Sequence, residues 1–134
     1  MTTLPYFNNQ AHPRVLIVED SPSTRLSIMM MLGFAPEVEI VGTASTAREL
    51  FESLSLEPNL ILMDANLPDM EGFDELNHVI ATLPATSRVV IMSVEETYEN
   101  AALAAGADAF ITKPFKIEQL LQVIRQFSPA VSLA

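Results

Sequence analysis

At 134 residues, 49% of them apolar, the chain has the size and composition at which one hydrophobic core is usual, which leaves no room for two full domains. Seventeen acidic residues against seven basic ones give a formal net charge of -10, which argues against direct nucleic-acid binding, since phosphate backbones are held by Lys and Arg clusters. The absence of cysteine excludes disulfides and thiolate metal sites and suits the cytoplasm; nothing from Met1 to Gln10 resembles a signal peptide, and no apolar run is long enough for membrane insertion.

Residues 1–12 lie outside any periodic pattern and read as a flexible tail. Val15 to Val18 follow as a continuous apolar run, the signature of a buried strand. Ser21-Pro22 then supplies an N-cap with proline at the first helical position, and Leu26, Met29 and Met30 are expected to form the apolar stripe of a first helix ending at Gly33. Val38-Glu39-Ile40-Val41 mixes apolar residues with a charge, as an edge strand does. Thr46 to Leu54 reads as a second helix, Leu60 to Met63 as a buried strand, and Glu71 to Leu83 as a third helix.

Val89 to Met92 is a further buried strand, followed by an Ala-rich fourth helix over Glu95 to Ala105, weakly anchored by Tyr98 and stopped by Gly106. Ala109 to Ile111 is the last strand. Ile117, Leu120, Leu121, Ile124 and Phe127 then recur at three- and four-residue spacings, marking the buried face of a fifth helix. Residues 128–134 read as a C-terminal tail or the opening of a linker, which leaves one domain over 13–127. Five alternations of strand and helix predict a doubly wound α/β domain, with a five-stranded parallel sheet covered on both faces by five helices.

In such a sheet the carboxyl ends of the strands converge on the functional crevice. Here those ends are polar: Glu19-Asp20 after the first strand, Asp64 after the third, Ser93 after the fourth and Lys113-Pro114 after the fifth. Three gathered carboxylates repel one another unless a cation joins them, and an all-oxygen set suits Mg²⁺ or Mn²⁺. Lys113 adds a compact positive charge and Ser93 a hydroxyl donor for an oxyanion, so the set describes a phosphoryl pocket. Each residue alone is better explained as a helix cap, a turn former or a solvated charge; their joint placement at different strand ends is not.

Val15-Leu16-Ile17-Val18-Glu19-Asp20, Leu62-Met63-Asp64-Ala65-Asn66-Leu67-Pro68-Asp69-Met70-Glu71-Gly72, Ile91-Met92-Ser93 and Gly106-Ala107-Asp108-Ala109-Phe110-Ile111-Thr112-Lys113-Pro114-Phe115 carry a family resemblance. From about Arg14 to Phe127 the chain resembles the receiver domains of two-component response regulators, in the manner of the chemotaxis regulator. That resemblance implies a flavodoxin-like strand order 2-1-3-4-5. It makes Asp64 the phospho-acceptor. Asp20 and Asp64 would bind the metal directly, Glu19 through water, and Asn66 by its backbone carbonyl. Lys113 would pair with the acyl phosphate, and Ser93 would bond a phosphoryl oxygen after transfer. Phe110 would reposition with Ser93, Asn66 and Glu95 would tune dephosphorylation, and the Lys113–Pro114 peptide would be cis.

The implied partners are a sensor histidine kinase or phosphotransfer protein upstream and a protein target or effector domain downstream. The implied catalysis is confined to the domain's own phosphorylation and dephosphorylation. Three positions depart from the commonest pattern: Glu19 stands for Asp, Val94 replaces a smaller residue and narrows access to Asp64, and Phe110 lacks a hydroxyl. A haloacid-dehalogenase-like phosphatase uses similar groups in another order, with the nucleophile on the first strand and an Asp two residues on, where Asn66 stands here. A flavodoxin would need a phosphate-binding loop where Glu19-Asp20 would repel it. A receiver-like binding module that is never phosphorylated would not need its acceptor, metal and lysine positions intact.

Overall fold

Strands that are apolar at every position can be satisfied only in a sheet covered on both faces. The protein, a computed structural model describing residues 12–127, is built that way. In chain order it has β1 (Arg14–Val18), α1 (Pro22–Leu32), β2 (Glu39–Ala44) and α2 (Ala47–Glu52), which continues as a 3₁₀ turn, Ser53–Leu56. There follow β3 (Leu60–Asp64), α3 (Gly72–Thr82) and β4 (Arg88–Ser93). A 3₁₀ turn (Glu96–Tyr98) then leads into α4 (Glu99–Ala105), β5 (Ala109–Thr112) and α5 (Ile117–Gln126). All strand pairs are parallel, in the order β2-β1-β3-β4-β5. The reading of 1–12 and 128–134 as tails falls, His12 apart, outside the described residues.

The two-residue period of the strands divides the core. Leu16, Val18, Ile61, Met63, Val89 and Ile91 face α2, α3 and α4, meeting Leu50, Leu76, Ile80 and Ala102. Their neighbours Val15, Ile17, Leu60, Leu62, Val90, Met92 and Ile111 face α1 and α5, meeting Ile28, Leu32, Leu120 and Ile124. Burying these side chains, each contributing roughly 1.5–3 kcal/mol, is what holds the strand ends in register.

Local signals at the helix ends mostly act as the sequence implies. Ser21 Oγ accepts from the Thr24 N–H at 3.3 Å, with Pro22 at the start of α1. Thr46 Oγ1 accepts from the Glu49 N–H at 3.0 Å. Gly106 closes α4 at φ 119, a conformation that a side chain would strain.

Four expectations need correction. The stripe assigned to α1 is not its buried face: Leu26 is 57% exposed, Met29 36% and Met30 64%, while Ile28 and Leu32 enter the core. With Ile28-Met29-Met30-Met31-Leu32 apolar without a break, spacing cannot choose a face. The fourth helix starts at Glu99 rather than Glu95, so Tyr98 sits in the preceding turn. The second helix ends at Glu52, where the chain tightens toward Glu57 in a left-handed conformation. Strand β2 runs on through Gly42-Thr43-Ala44, residues too small or polar to extend the apolar signal.

Candidate functional site

Sheet register does the assembling. Val18 pairs with Met63, Asp64 with Met92, and Ser93 with Thr112, so Asp64, Ser93 and the residues just after Val18 and Thr112 meet at the carboxyl end of the sheet. Glu19, Asp20 and Asp64 each offer a carboxylate oxygen within 4.8 Å of the others'. Glu19 and Asp64 are buried, whereas Asp20 is exposed at the rim. Ser93 is fully buried beside them at the end of β4.

Lys113 closes the set from β5. Its Nζ donates to Glu19 Oε1 at 2.5 Å and to Asp64 Oδ2 at 3.1 Å. The other oxygens are also engaged: Glu19 Oε2 accepts from the Ser21 N–H at 3.1 Å and Asp64 Oδ1 from the Asn66 N–H at 2.9 Å. Ser93 Oγ accepts from the Glu95 N–H at 3.0 Å. Backbone bonds hold the loops that carry these groups, from Lys113 N–H to the Ser93 carbonyl and from Ala65 N–H to that of Met92, both at 2.8 Å. The Lys113–Pro114 peptide is cis, as the resemblance implies.

Burial pushes the Glu19 carboxyl above the usual carboxylate range, and the Asp64 charge adds to it; Lys113 and the Ser21 N–H only partly offset this. Burial also works against the charge on Lys113, but Glu19 and Asp64 together outweigh it and hold the ammonium pKa above its ordinary value. The pocket thus carries more negative charge than one lysine balances. Hard oxygen donors clustered with excess charge fit Mg²⁺ or Mn²⁺, and the donor set includes no soft atom that would favour another metal.

The remaining expected residues stand around this centre. Asn66 and Glu95 are exposed at the mouth. Val94, 65% exposed, lines a cleft of about 370 Å³ with Lys113, Pro114, Phe115 and the α1 residues Ile28 and Met31. Phe110 is half-buried and packs on the same core cluster as Tyr98, whose ring lies 5.3 Å from that of Phe73. Two residues escape sequence reasoning. Arg25 on α1 donates to the Glu19 carbonyl at 2.7 Å and to Ser45 Oγ at 3.0 Å, and Asp69 accepts from the N–H groups of Ala47 and Arg48. Their partners lie 6 to 22 residues away and include backbone atoms, which leave no trace in residue type.

Among known proteins, the response regulator receiver domain model matches residues 15–125. The nitrate/nitrite response regulator protein NarL of Escherichia coli (strain K12) is 33% identical over 122 residues, covering 89% of this chain and 56% of that protein. A protein-glutamate methylesterase/protein-glutamine glutaminase of Syntrophus aciditrophicus (strain SB) is 39% identical over 107 residues, covering 75% and 30%. The crystal structure of the response regulator domain of Thermotoga maritima CheB superposes with a TM-score of 0.72 at 32% identity, covering 86% of this chain and 95% of that one. The chain therefore spans about half or less of the curated relatives it matches. With the parallel order 2-1-3-4-5 and the acidic cluster at its strand ends, the chain belongs to the family of response regulator receiver domains.

Proposed function

We propose that this chain receives a phosphoryl group on Asp64 from a sensor histidine kinase or phosphotransfer protein and passes the signal to a downstream protein target or effector domain. The observation that carries this reading is Lys113 Nζ bridging Glu19 and Asp64, a cation held beside the one buried carboxylate that ends β3. One Asp64 oxygen attacks phosphorus, forming the acyl phosphate as the bond to the donor's leaving group breaks. Lys113 then pairs with the transferred oxygens, and Ser93 turns its hydroxyl from the Glu95 N–H to donate to one of them.

Glu19, Asp20, Asp64 and the Asn66 carbonyl would hold Mg²⁺ or Mn²⁺, Glu19 through a water. When bound, the cation neutralises charge on the phosphoryl oxygens. On this reading Asn66 and Glu95, both exposed, meet the water that later hydrolyses the acyl phosphate. Catalysis by these residues is confined to the domain's own modification. No described helix is long and apolar enough to cross a membrane.

Incubation with acetyl phosphate and Mg²⁺ tests the function. Uptake of about one phosphoryl group per chain, labile to hydroxylamine, is the expected result. Sustained turnover of para-nitrophenyl phosphate without that adduct would favour the phosphatase reading instead.

A further inference from the structure

The short helix α2 contributes no side chain to the acidic pocket, yet both ligand-bearing loops are fastened at its N-terminus. On one side the guanidinium of Arg25 spans from the Glu19 carbonyl to Ser45 Oγ, tying the β1–α1 loop to the residue that precedes the helix cap. On the other side Asp69 reaches across from the β3–α3 loop. Its Oδ1 accepts from the Ala47 N–H at 2.8 Å and its Oδ2 from the Arg48 N–H at 3.0 Å.

These two bonds complete the helix end. The first N–H groups of a helix have no intrahelical partner. Thr46 Oγ1 takes that of Glu49, Asp69 takes those of Ala47 and Arg48, and Glu49 Oε1 takes that of Ser45 at 2.8 Å. Burial is the largest single influence on the Asp69 carboxyl and pushes it up, but the backbone N–H groups of Ala47 and Arg48 act together against it and hold the carboxyl below the usual range.

The loop so fastened is short. Ala65 N–H is bonded to the Met92 carbonyl, the Leu67 side chain is buried, and the Met70 N–H closes a turn onto the Leu67 carbonyl with Asp69 inside it. Asn66 therefore lies between the strand anchor at Ala65 and the helix anchor at Asp69. We infer that Asp69 is a positioning residue that, by latching this loop to the N-terminus of α2, sets where the Asn66 carbonyl stands relative to Asp64 and thereby sets the affinity for the divalent cation. The inference rests on the metal-site reading above, with Arg25 and Ser45 acting as the matching strut on the Glu19 side.

The plainer reading makes Asp69 a helix cap and nothing more. Thr46 separates the two, because it caps the same helix without touching the loop. Mg²⁺ alone, without a phosphoryl donor, is titrated into the full chain and followed by backbone amide spectra, with melting curves of each metal-free protein. Asp69→Ala should weaken Mg²⁺ binding by about tenfold, the size typical of losing a group that orients a ligand. Asp69→Asn, which keeps one acceptor, should fall between it and wild type. Thr46→Ala should lower the melting temperature at least as much as Asp69→Ala but leave Mg²⁺ affinity within about twofold. Wild-type affinity in Asp69→Ala, or an equal loss in Thr46→Ala, would overturn the inference. Failure of the wild-type chain to bind Mg²⁺ would overturn the metal-site reading, and the inference with it.

Discussion

One ammonium between two buried carboxylates makes the metal-free pocket tolerable. Without Lys113, the buried carboxylates of Glu19 and Asp64 would face each other with no counter-charge, which is the costly arrangement for ionised groups. The sign of the pH dependence follows from the raised pKa of Lys113. Its contribution to stability is complete below its ordinary value of 10.5 and disappears as pH rises through the folded value. Urea midpoints of wild type and Lys113→Met should therefore differ at neutral pH and draw together above about pH 10.5. A gap that stays constant across that range would mean the lysine stabilises through its methylene stem rather than its charge. At this scale the sequence was most legible where the chemistry needs a charged side chain: Glu19, Asp20, Asp64, Ser93 and Lys113 all come together. Arg25 and Asp69 were not legible, because they act on backbone atoms whose positions only the fold determines.

Elements were readable in proportion to their contrast. Helix α5 alternates apolar and polar residues sharply, and its Leu120 and Ile124 are fully buried as the spacing implies. Helix α1 is apolar around most of its circumference, and so its spacing points to Leu26, Met29 and Met30 although Ile28 and Leu32 are the buried residues. The junction from β4 to α4 is the element on which the proposed signalling depends. It passes from buried Ser93 through exposed Val94 and a 3₁₀ turn to a helix of only seven residues, with Ala102 as its one fully buried side chain. Such a segment is easily displaced, since few buried contacts hold it. On the proposed relay, Ser93 is drawn toward the new oxyanion and Phe110 repacks, shifting α4, β5 and α5 as the partner-binding face. Ser93→Ala should still be modified on Asp64 but show weakened phosphorylation-dependent amide shifts from Tyr98 to Gln122. Full-sized shifts in a verified phosphorylated sample would reduce Phe110 to an ordinary packing residue.

The whole domain is a scaffold that brings like charges together, so its stability and its function are coupled. Seventeen acidic residues against seven basic ones repel on the scale of the molecule, and three of the carboxylates converge on one pocket. A cation bound only by the folded state must stabilise it by mass action. Mg²⁺ should therefore raise the melting temperature of the wild-type domain, and Asp20→Ala should abolish that response while stabilising the metal-free form. An undiminished Mg²⁺ response in Asp20→Ala would remove it from the metal site. The claim on which the rest depends is that Asp64 accepts the phosphoryl group, and intact-mass measurement of wild type beside Asp64→Asn after incubation with acetyl phosphate and Mg²⁺ tests it most directly. The wild-type chain should gain the mass of one phosphoryl group and Asp64→Asn none. Uptake by Asp64→Asn at the wild-type rate would contradict the account.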